Sequence, residues 1–114
     1  MFIPLILLIA PPAEMSEQLK ESSVLSRTYV QQQAEDKGWT GNQWSCLDEL
    51  VWRESKWKIN ANNPNSSAYG LFQMLKTPED TAIEEQTERG LRYIEHRYDK
   101  PCSALRHHDR KNWY

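Results

Sequence analysis

No part of this chain shows the alternation of apolar and polar residues that a half-buried β-strand requires. Its apolar residues instead recur every three or four positions, as Trp44, Leu47 and Val51 do, which is the spacing of one helix face. The chain has 114 residues, enough for one hydrophobic core and too few for two domains. The sequence therefore predicts a single small domain that is mainly α-helical.

The first half of the chain predicts two helices followed by a loop. Residues 15–37 contain no Gly or Pro and carry an imperfect apolar stripe, so they are predicted to form the first helix. Thr40 with Gln43 three positions later is a candidate capping box, and the second helix is expected to run from there to about Ser55. The Asn-rich stretch 58–67 favours turns over helix and predicts the loop.

The second half of the chain predicts two more helices. Thr77 followed by Pro78 and two acidic residues has the composition of a helix start, because Pro fits the first helical position and acids favour the positive end of the helix dipole. That third helix is expected to reach roughly Tyr98. Pro101 then opens a short fourth helix.

Charge and cysteine usage exclude several kinds of partner. The 14 Lys and Arg residues do not exceed the 16 Asp and Glu residues, so the chain lacks the basic excess of a nucleic-acid binder. Its two cysteines form no CxxC pair, and with only three histidines they do not match a zinc site of ordinary spacing. We therefore expect neither a nucleic-acid partner nor a metal, and no motif predicts a cofactor.

The apolar amino terminus indicates in which cellular compartment the protein acts. Residues 1–13 are too short for a transmembrane helix, so no stable membrane span is expected. Their length and small residues are typical of a secretory signal, although the basic n-region is missing, and the alternative is a hydrophobic arm. Either way we place the domain at 14–114. In an exported chain Cys46 and Cys102 are expected to form a disulfide, whereas in cytosol they would be reduced.

One carboxylate stands out near the end of the second predicted helix. Glu54 lies between Trp52 and Trp57, and a carboxyl group held against aromatic surface has a raised pKa and can donate a proton near neutral pH. The alternative is an ordinary surface residue, whose pKa Arg53 or Lys56 would lower by pairing with it.

A second informative segment, residues 66–74, follows the Asn-rich loop. Gly70 allows the backbone to approach a ligand closely, and the Gln73 amide offers both a donor and an acceptor. The alternative is a turn that leads into a helix.

Taken together, these segments resemble the catalytic domain of the soluble lytic transglycosylases, which is related in fold to goose-type lysozyme. The resemblance covers about two thirds of the chain, residues 43–114, and its motifs occur in the family's order. They are ESKW at 54–57, SSAYGLFQ at 66–73 and GLRYI at 90–94, and a compact branch found in secreted and phage proteins is matched further by WSCL at 44–47, RYDKPC at 97–102 and NWY at 112–114.

This resemblance implies a lysozyme-like fold and cleavage of peptidoglycan between N-acetylmuramic acid and N-acetylglucosamine. Glu54 stands in the position of the sole catalytic acid and base, and no metal or cofactor takes part. Ser55 is expected to orient Glu54, and the Tyr93 hydroxyl to hold it, with core packing as the alternative for Tyr93. The residues expected to line the sugar cleft are Ser66, Tyr69, Gly70 and Gln73.

The resemblance also implies where the protein acts and leaves rival functions open. We expect a monomer that is secreted, periplasmic, associated with the cell wall or carried on a phage particle. A muramidase of the same fold, which uses water instead of the substrate's own hydroxyl, is the nearest alternative. The second alternative is a catalytically inactive module that binds the cell wall or forms a structural part of a virion. Lys56 replaces the Gly usual in the family and could stabilise the Glu54 carboxylate.

Overall fold

Four α-helices carry the fold in a computed structural model that describes the backbone of residues 12–114 and the side chains from Glu21 onward. They are α1 (Pro12–Asp36), α2 (Asn42–Ser55), α3 (Ile83–Tyr98) and α4 (Pro101–Lys111). No strand forms within this range, where extended pairing is limited to isolated bridges in the loop 56–82. The mainly helical prediction is confirmed, while the lysozyme-like arrangement stays a prediction.

The candidate signal segment lies outside the described residues, apart from its last two positions, which open α1. Between residues 12 and 114 we find no helix with the length and apolar character needed to cross a bilayer.

A glycine terminates α1. Gly38 adopts φ 79°, its N–H donates to the Glu35 carbonyl at 2.9 Å, and the Trp39 N–H donates to the Ala34 carbonyl at 2.9 Å. This pair of bonds is the Schellman motif, which needs a left-handed residue that glycine supplies without steric cost. The turn delivers the Trp39 ring into the core, where it is buried.

The start of α2 differs from the prediction. Gly41 occupies the N-cap with no side-chain hydrogen bond, so the capping box of Thr40 and Gln43 is wrong. The Gln43 side chain serves another helix instead, because its Oε1 accepts the Cys102 backbone N–H at 3.0 Å. That bond satisfies one of the orphan N–H groups in the first turn of α4.

The third helix also begins later than Thr77 and Pro78 predict, at Ile83. Asp80 adopts a left-handed φ of 63°, which a right-handed helix does not tolerate. The Pro78 carbonyl accepts both the backbone N–H of Thr81, at 3.3 Å, and its hydroxyl, at 2.6 Å. These bonds close a turn where the helix was expected.

A disulfide joins α2 to α4, as expected for an exported chain. Cys46 and Cys102 are bonded, with Cα atoms 5.0 Å apart. Further along the same two helices, Arg53 contacts Asp109 and Glu54 contacts His108, so α2 and α4 run side by side in the same direction. The register of this helix pair therefore brings the end of α2 to the end of α4.

The hydrophobic core lies among all four helices and takes in part of the loop 56–82. Each helix contributes one apolar face, and the loop contributes Trp57, Leu71 and Phe72. The buried residues that form it are Val30, Ala34, Trp39, Trp44, Leu47, Leu50, Val51, Trp57, Leu71, Phe72, Leu91, Ile94 and Ala104.

Candidate active site

Glu54 lies in the last turn of α2 and is largely withdrawn from solvent. Its side chain is only 18% exposed. The helix stops directly after it, because Lys56 adopts a left-handed φ of 53° while its N–H still donates to the Trp52 carbonyl. Burial raises the pKa of the Glu54 carboxyl above its usual value, and the charge and hydrogen bond of His108 offset part of that rise. The geometry therefore favours a carboxyl group that keeps its proton longer than an exposed one.

The partner of Glu54 is His108 from α4. The His108 Nε2 lies 3.1 Å from the Glu54 Oε1, and the imidazole is itself only 12% exposed. Nothing in the spacing of the sequence pointed to His108. The usable signal was the register set by the disulfide, since Glu54 and His108 each lie about two helical turns beyond the cysteine of their own helix.

An ion-pair network surrounds this contact. The Arg53 Nη1 lies 2.6 Å from the Asp109 Oδ1 and 3.4 Å from the His108 Nδ1. The Arg53 Nε donates to the Glu49 Oε1 at 3.1 Å. Because Arg53 is bound to these two acids, it does not pair with Glu54 as the alternative interpretation proposed.

Tyr114 is bonded to the loop 56–82 and lies within electrostatic range of Glu54. Its hydroxyl donates to the Phe72 carbonyl at 2.6 Å. Burial raises the pKa of Tyr114 well above its usual range, and the negative charge of Glu54 raises it further. Tyr114 therefore holds the backbone of the loop at Phe72, a role that the sequence motif containing it did not specify.

The two flanking tryptophans are engaged elsewhere. Trp57 packs against Trp44 with ring centroids 6.1 Å apart, and its Nε1 donates to the Asp48 Oδ1 at 2.8 Å. Trp52 is half exposed and lines a cavity of about 770 Å³ that also contains Lys56. The observed hydrogen-bond partner of Glu54 is His108, and the shelter of its carboxyl by indole rings stays a prediction.

Two residues expected to act directly on Glu54 have structural partners. The Ser55 side chain is buried, and its hydroxyl donates to the Val51 carbonyl at 3.1 Å, within its own helix. Tyr93 packs edge-on against Tyr114, with ring centroids 5.5 Å apart. Among the described hydrogen bonds, Tyr93 makes none to Glu54.

Ser66 and Tyr69 share a shallow pocket of about 400 Å³ in the loop 56–82. The Ser66 Oγ accepts the Ala68 backbone N–H at 3.0 Å, and the buried Tyr69 accepts the Asp80 N–H at its hydroxyl, at 3.3 Å. Glu54 is not among the residues that line this pocket. Ser66 and Tyr69, both predicted to bind sugar, are thus together in a pocket whose lining does not include Glu54.

Gln73 and Gly70 shape the same loop. The Gln73 Nε2 donates to the carbonyls of Ala61, at 3.0 Å, and Gly70, at 2.9 Å. Gly70 adopts φ 89°, and a side chain there would overlap the amide of Gln86. Gly70 is therefore required for close packing within the protein, and the Gln73 amide nitrogen is committed to the backbone, which leaves its oxygen for a ligand.

Gln86 is the internal anchor of this loop. Its Oε1 accepts the Leu71 N–H at 2.9 Å, and its Nε2 donates to the carbonyls of Ile59, at 3.1 Å, and Thr81, at 2.8 Å. A glutamine that is 4% exposed with three backbone partners fixes the shape of the loop. No local pattern marks it, because its partners lie up to 27 positions away.

No group of three or more His, Cys, Asp or Glu side chains in the described part of the chain is arranged to hold a metal ion. No family model, no curated protein and no solved structure matches the chain.

Proposed function

We propose that this protein cleaves peptidoglycan as a lytic transglycosylase, with Glu54 as its single acid and base. The observation that carries the proposal is the buried carboxyl of Glu54, whose pKa burial raises and whose Oε1 faces the His108 Nε2. A group of this kind can protonate the oxygen between two sugars near neutral pH. The motifs that resemble the transglycosylase family assign the same residue to the same task.

The neighbouring acids favour a mechanism with one carboxylate. Ordinary glycosidases need two carboxyl groups flanking the bond. Glu49 and Asp109 both bind Arg53, and Asp48 binds Arg27 at 2.7 Å and the Trp57 indole. The acids on the same two helices are thus committed to other partners, which leaves Glu54 as the carboxyl available for chemistry.

The proposed reaction proceeds in two proton transfers. Glu54 gives its proton to the glycosidic oxygen as the bond to C1 of N-acetylmuramic acid breaks. The resulting carboxylate then takes the proton of the C6 hydroxyl, whose oxygen closes on C1. The product carries a 1,6-anhydro end, no water is consumed, and Glu54 regains its proton. An intramolecular nucleophile also avoids the entropic cost of capturing a second reactant.

Export fits this proposal. The Cys46–Cys102 bond is of the kind that persists in oxidising compartments, and the substrate lies outside the cytoplasm. We propose that the protein acts at the cell wall, either as a secreted enzyme or as part of a phage particle.

Digestion of purified cell-wall sacculi, followed by mass spectrometry of the fragments, tests the function. We expect 1,6-anhydro muramic ends, each lighter by one water than a reducing end. E54Q should lower the rate by about 10²- to 10⁴-fold, the usual contribution of a general acid. E88Q, which changes an exposed acid on α3, is the matched control.

Other products would assign another function. Reducing ends without anhydro ends would indicate a muramidase. If the parent and E54Q both bind the wall and neither cleaves it, the protein is an inactive binding module. Equal cleavage by the parent and E54Q would remove Glu54 from the mechanism.

A further inference from the structure

The two ring nitrogens of His108 face partners of opposite kind. The Nδ1 lies 3.4 Å from the Arg53 Nη1, and a guanidinium only donates hydrogen bonds. A hydrogen bond at this contact requires Nδ1 to accept with its lone pair, which places the hydrogen of the neutral ring on Nε2. That nitrogen lies 3.1 Å from the Glu54 Oε1 and in this tautomer would donate to it.

Arg53 is itself held in place. Its Nη1 contacts the Asp109 Oδ1 at 2.6 Å, and its Nε contacts the Glu49 Oε1 at 3.1 Å. Two adjacent residues of α2 thus interlock with two adjacent residues of α4. The charged or titratable groups named at this end of the helix pair are Arg53 and Glu54 from α2, Asp109 from α4, and Tyr114, whose pKa the charge of Glu54 raises.

This tautomer determines where the proton of Glu54 can be. With Oε1 accepting from Nε2–H, the carboxyl proton belongs on the other oxygen, Oε2. A ring hydrogen on Nδ1 would have the opposite effect, because the free Nε2 would accept the carboxyl proton and leave Glu54 unable to act as an acid.

We propose that His108 is a positioning residue, fixed in the Nε2–H tautomer by Arg53, which keeps the reactive proton of Glu54 on Oε2. The task assigned to that proton rests on the proposed function, whereas the tautomer does not. Arg53 and Asp109 contribute to the same positioning. Arg53 sets the tautomer of His108 and Asp109 holds Arg53, and neither is assigned a contact with the substrate.

Long-range ¹H–¹⁵N spectroscopy of the labelled full chain tests the tautomer directly. The chain has three histidines, and the signals of His108 are assigned from their loss in H108Q. At a pH where the rings are neutral, we expect the Nε2–H pattern for His108 in the parent. R53M, which keeps the length of the side chain without its donors, should give a mixture of tautomers. An Nδ1–H pattern or a mixture in the parent would overturn the proposal, whether or not R53M folds.

Cleavage assays test the positioning role. In H108Q the glutamine amide can still donate from the place of Nε2, whereas H108M cannot. We expect H108M to lose about 10- to 100-fold in kcat with little change in KM, and H108Q to keep most of the activity. The loss is that of one hydrogen bond to the carboxylate that Glu54 becomes as it gives up its proton. H96Q, at an exposed histidine of α3, is the control.

The outcomes separate the two proposals. Equal losses in H108Q and H108M with the fold intact by circular dichroism, or no loss in either, would overturn the positioning role. If the parent fails to cleave the wall, the proposed function fails, and the spectrum still decides the tautomer.

Discussion

The backbone of Gly90 on α3 lies directly against the ring of Phe72. A methyl group added at Gly90 would come within less than 3.0 Å of three ring atoms. The Phe72 carbonyl in turn accepts the Tyr114 hydroxyl, and the charge of Glu54 acts on Tyr114. Packing of α3 against Phe72 therefore helps to fix the position of Tyr114.

We expect G90A to destabilise the fold by about 1–3 kcal/mol, the usual cost of overpacking a core. Urea unfolding followed by circular dichroism measures the change, and wall cleavage should fall as Phe72 and Tyr114 shift. E85A, on the exposed side of the same helix, should change stability by less than about 0.5 kcal/mol. Equal stability of G90A and the parent would mean that the ring moves aside without cost.

Replacement of Gln86 should loosen the loop 56–82. Q86L is similar in size but leaves the Leu71 N–H and the carbonyls of Ile59 and Thr81 without their partner. Since each unpaired buried group costs about 1–3 kcal/mol, we expect a loss of about 3 kcal/mol or more. Urea unfolding and the rate of proteolysis within the loop measure it. Q32L, at an exposed position of α1, is the control, and a similar effect in both variants would contradict the anchoring role.

The stability of the protein should depend on pH through Glu54. Burial raises the pKa of this carboxyl above the ordinary 4.5, so the folded state binds the proton more tightly than the unfolded chain. Its contribution to stability is therefore present below the ordinary pKa and is lost as pH rises through the folded pKa.

E54Q removes this titration and keeps an acceptor for His108. We expect its free energy of unfolding, measured in urea at several pH values, to match that of the parent below the ordinary pKa of Glu54. The variant should become the more stable protein as pH rises from there to the folded pKa, and the difference should stay constant at higher pH. A variant less stable than the parent at every pH would show that the bond to His108 outweighs the cost of burying the charge.

Loss of the disulfide should weaken the pairing of α2 with α4. The bond closes a loop across 56 positions, for which the chain-entropy model gives about 4 kcal/mol. We expect the C46S/C102S double variant to lose stability on this scale in denaturant unfolding, and to lose wall cleavage with it. Addition of a reductant should destabilise the parent similarly and leave the variant unchanged. An effect of reductant on the variant would point to another cause.

The sequence predicted features that depend on neighbouring residues. Pro101 marked the first residue of α4, and the end of α2 was expected near Ser55. The disulfide was expected on the condition that the chain is exported, and it is present. The predicted start of α3 was wrong. The local composition favours a helix there, but the Pro78 carbonyl closes a turn and Asp80 adopts a left-handed conformation.

The features that were missed depend on contacts between distant parts of the chain. His108 meets Glu54 across 54 positions, and Gln86 reaches Leu71 across 15. Neither relationship leaves a local pattern, because each arises only when the helices pack. Glu54 was singled out from its motif, but its contact with His108 was not predicted.

The parallel course of α2 and α4 gives this helix pair one covalent and one non-covalent attachment. The bond between Cys46 and Cys102 joins the helices covalently. At the opposite end they are held by bonds that can break and re-form, made by Arg53, Glu54, His108 and Asp109. Separation of the two helices at this end therefore requires only that these polar contacts break, whereas separation at the sulfur atoms requires cleavage of a covalent bond.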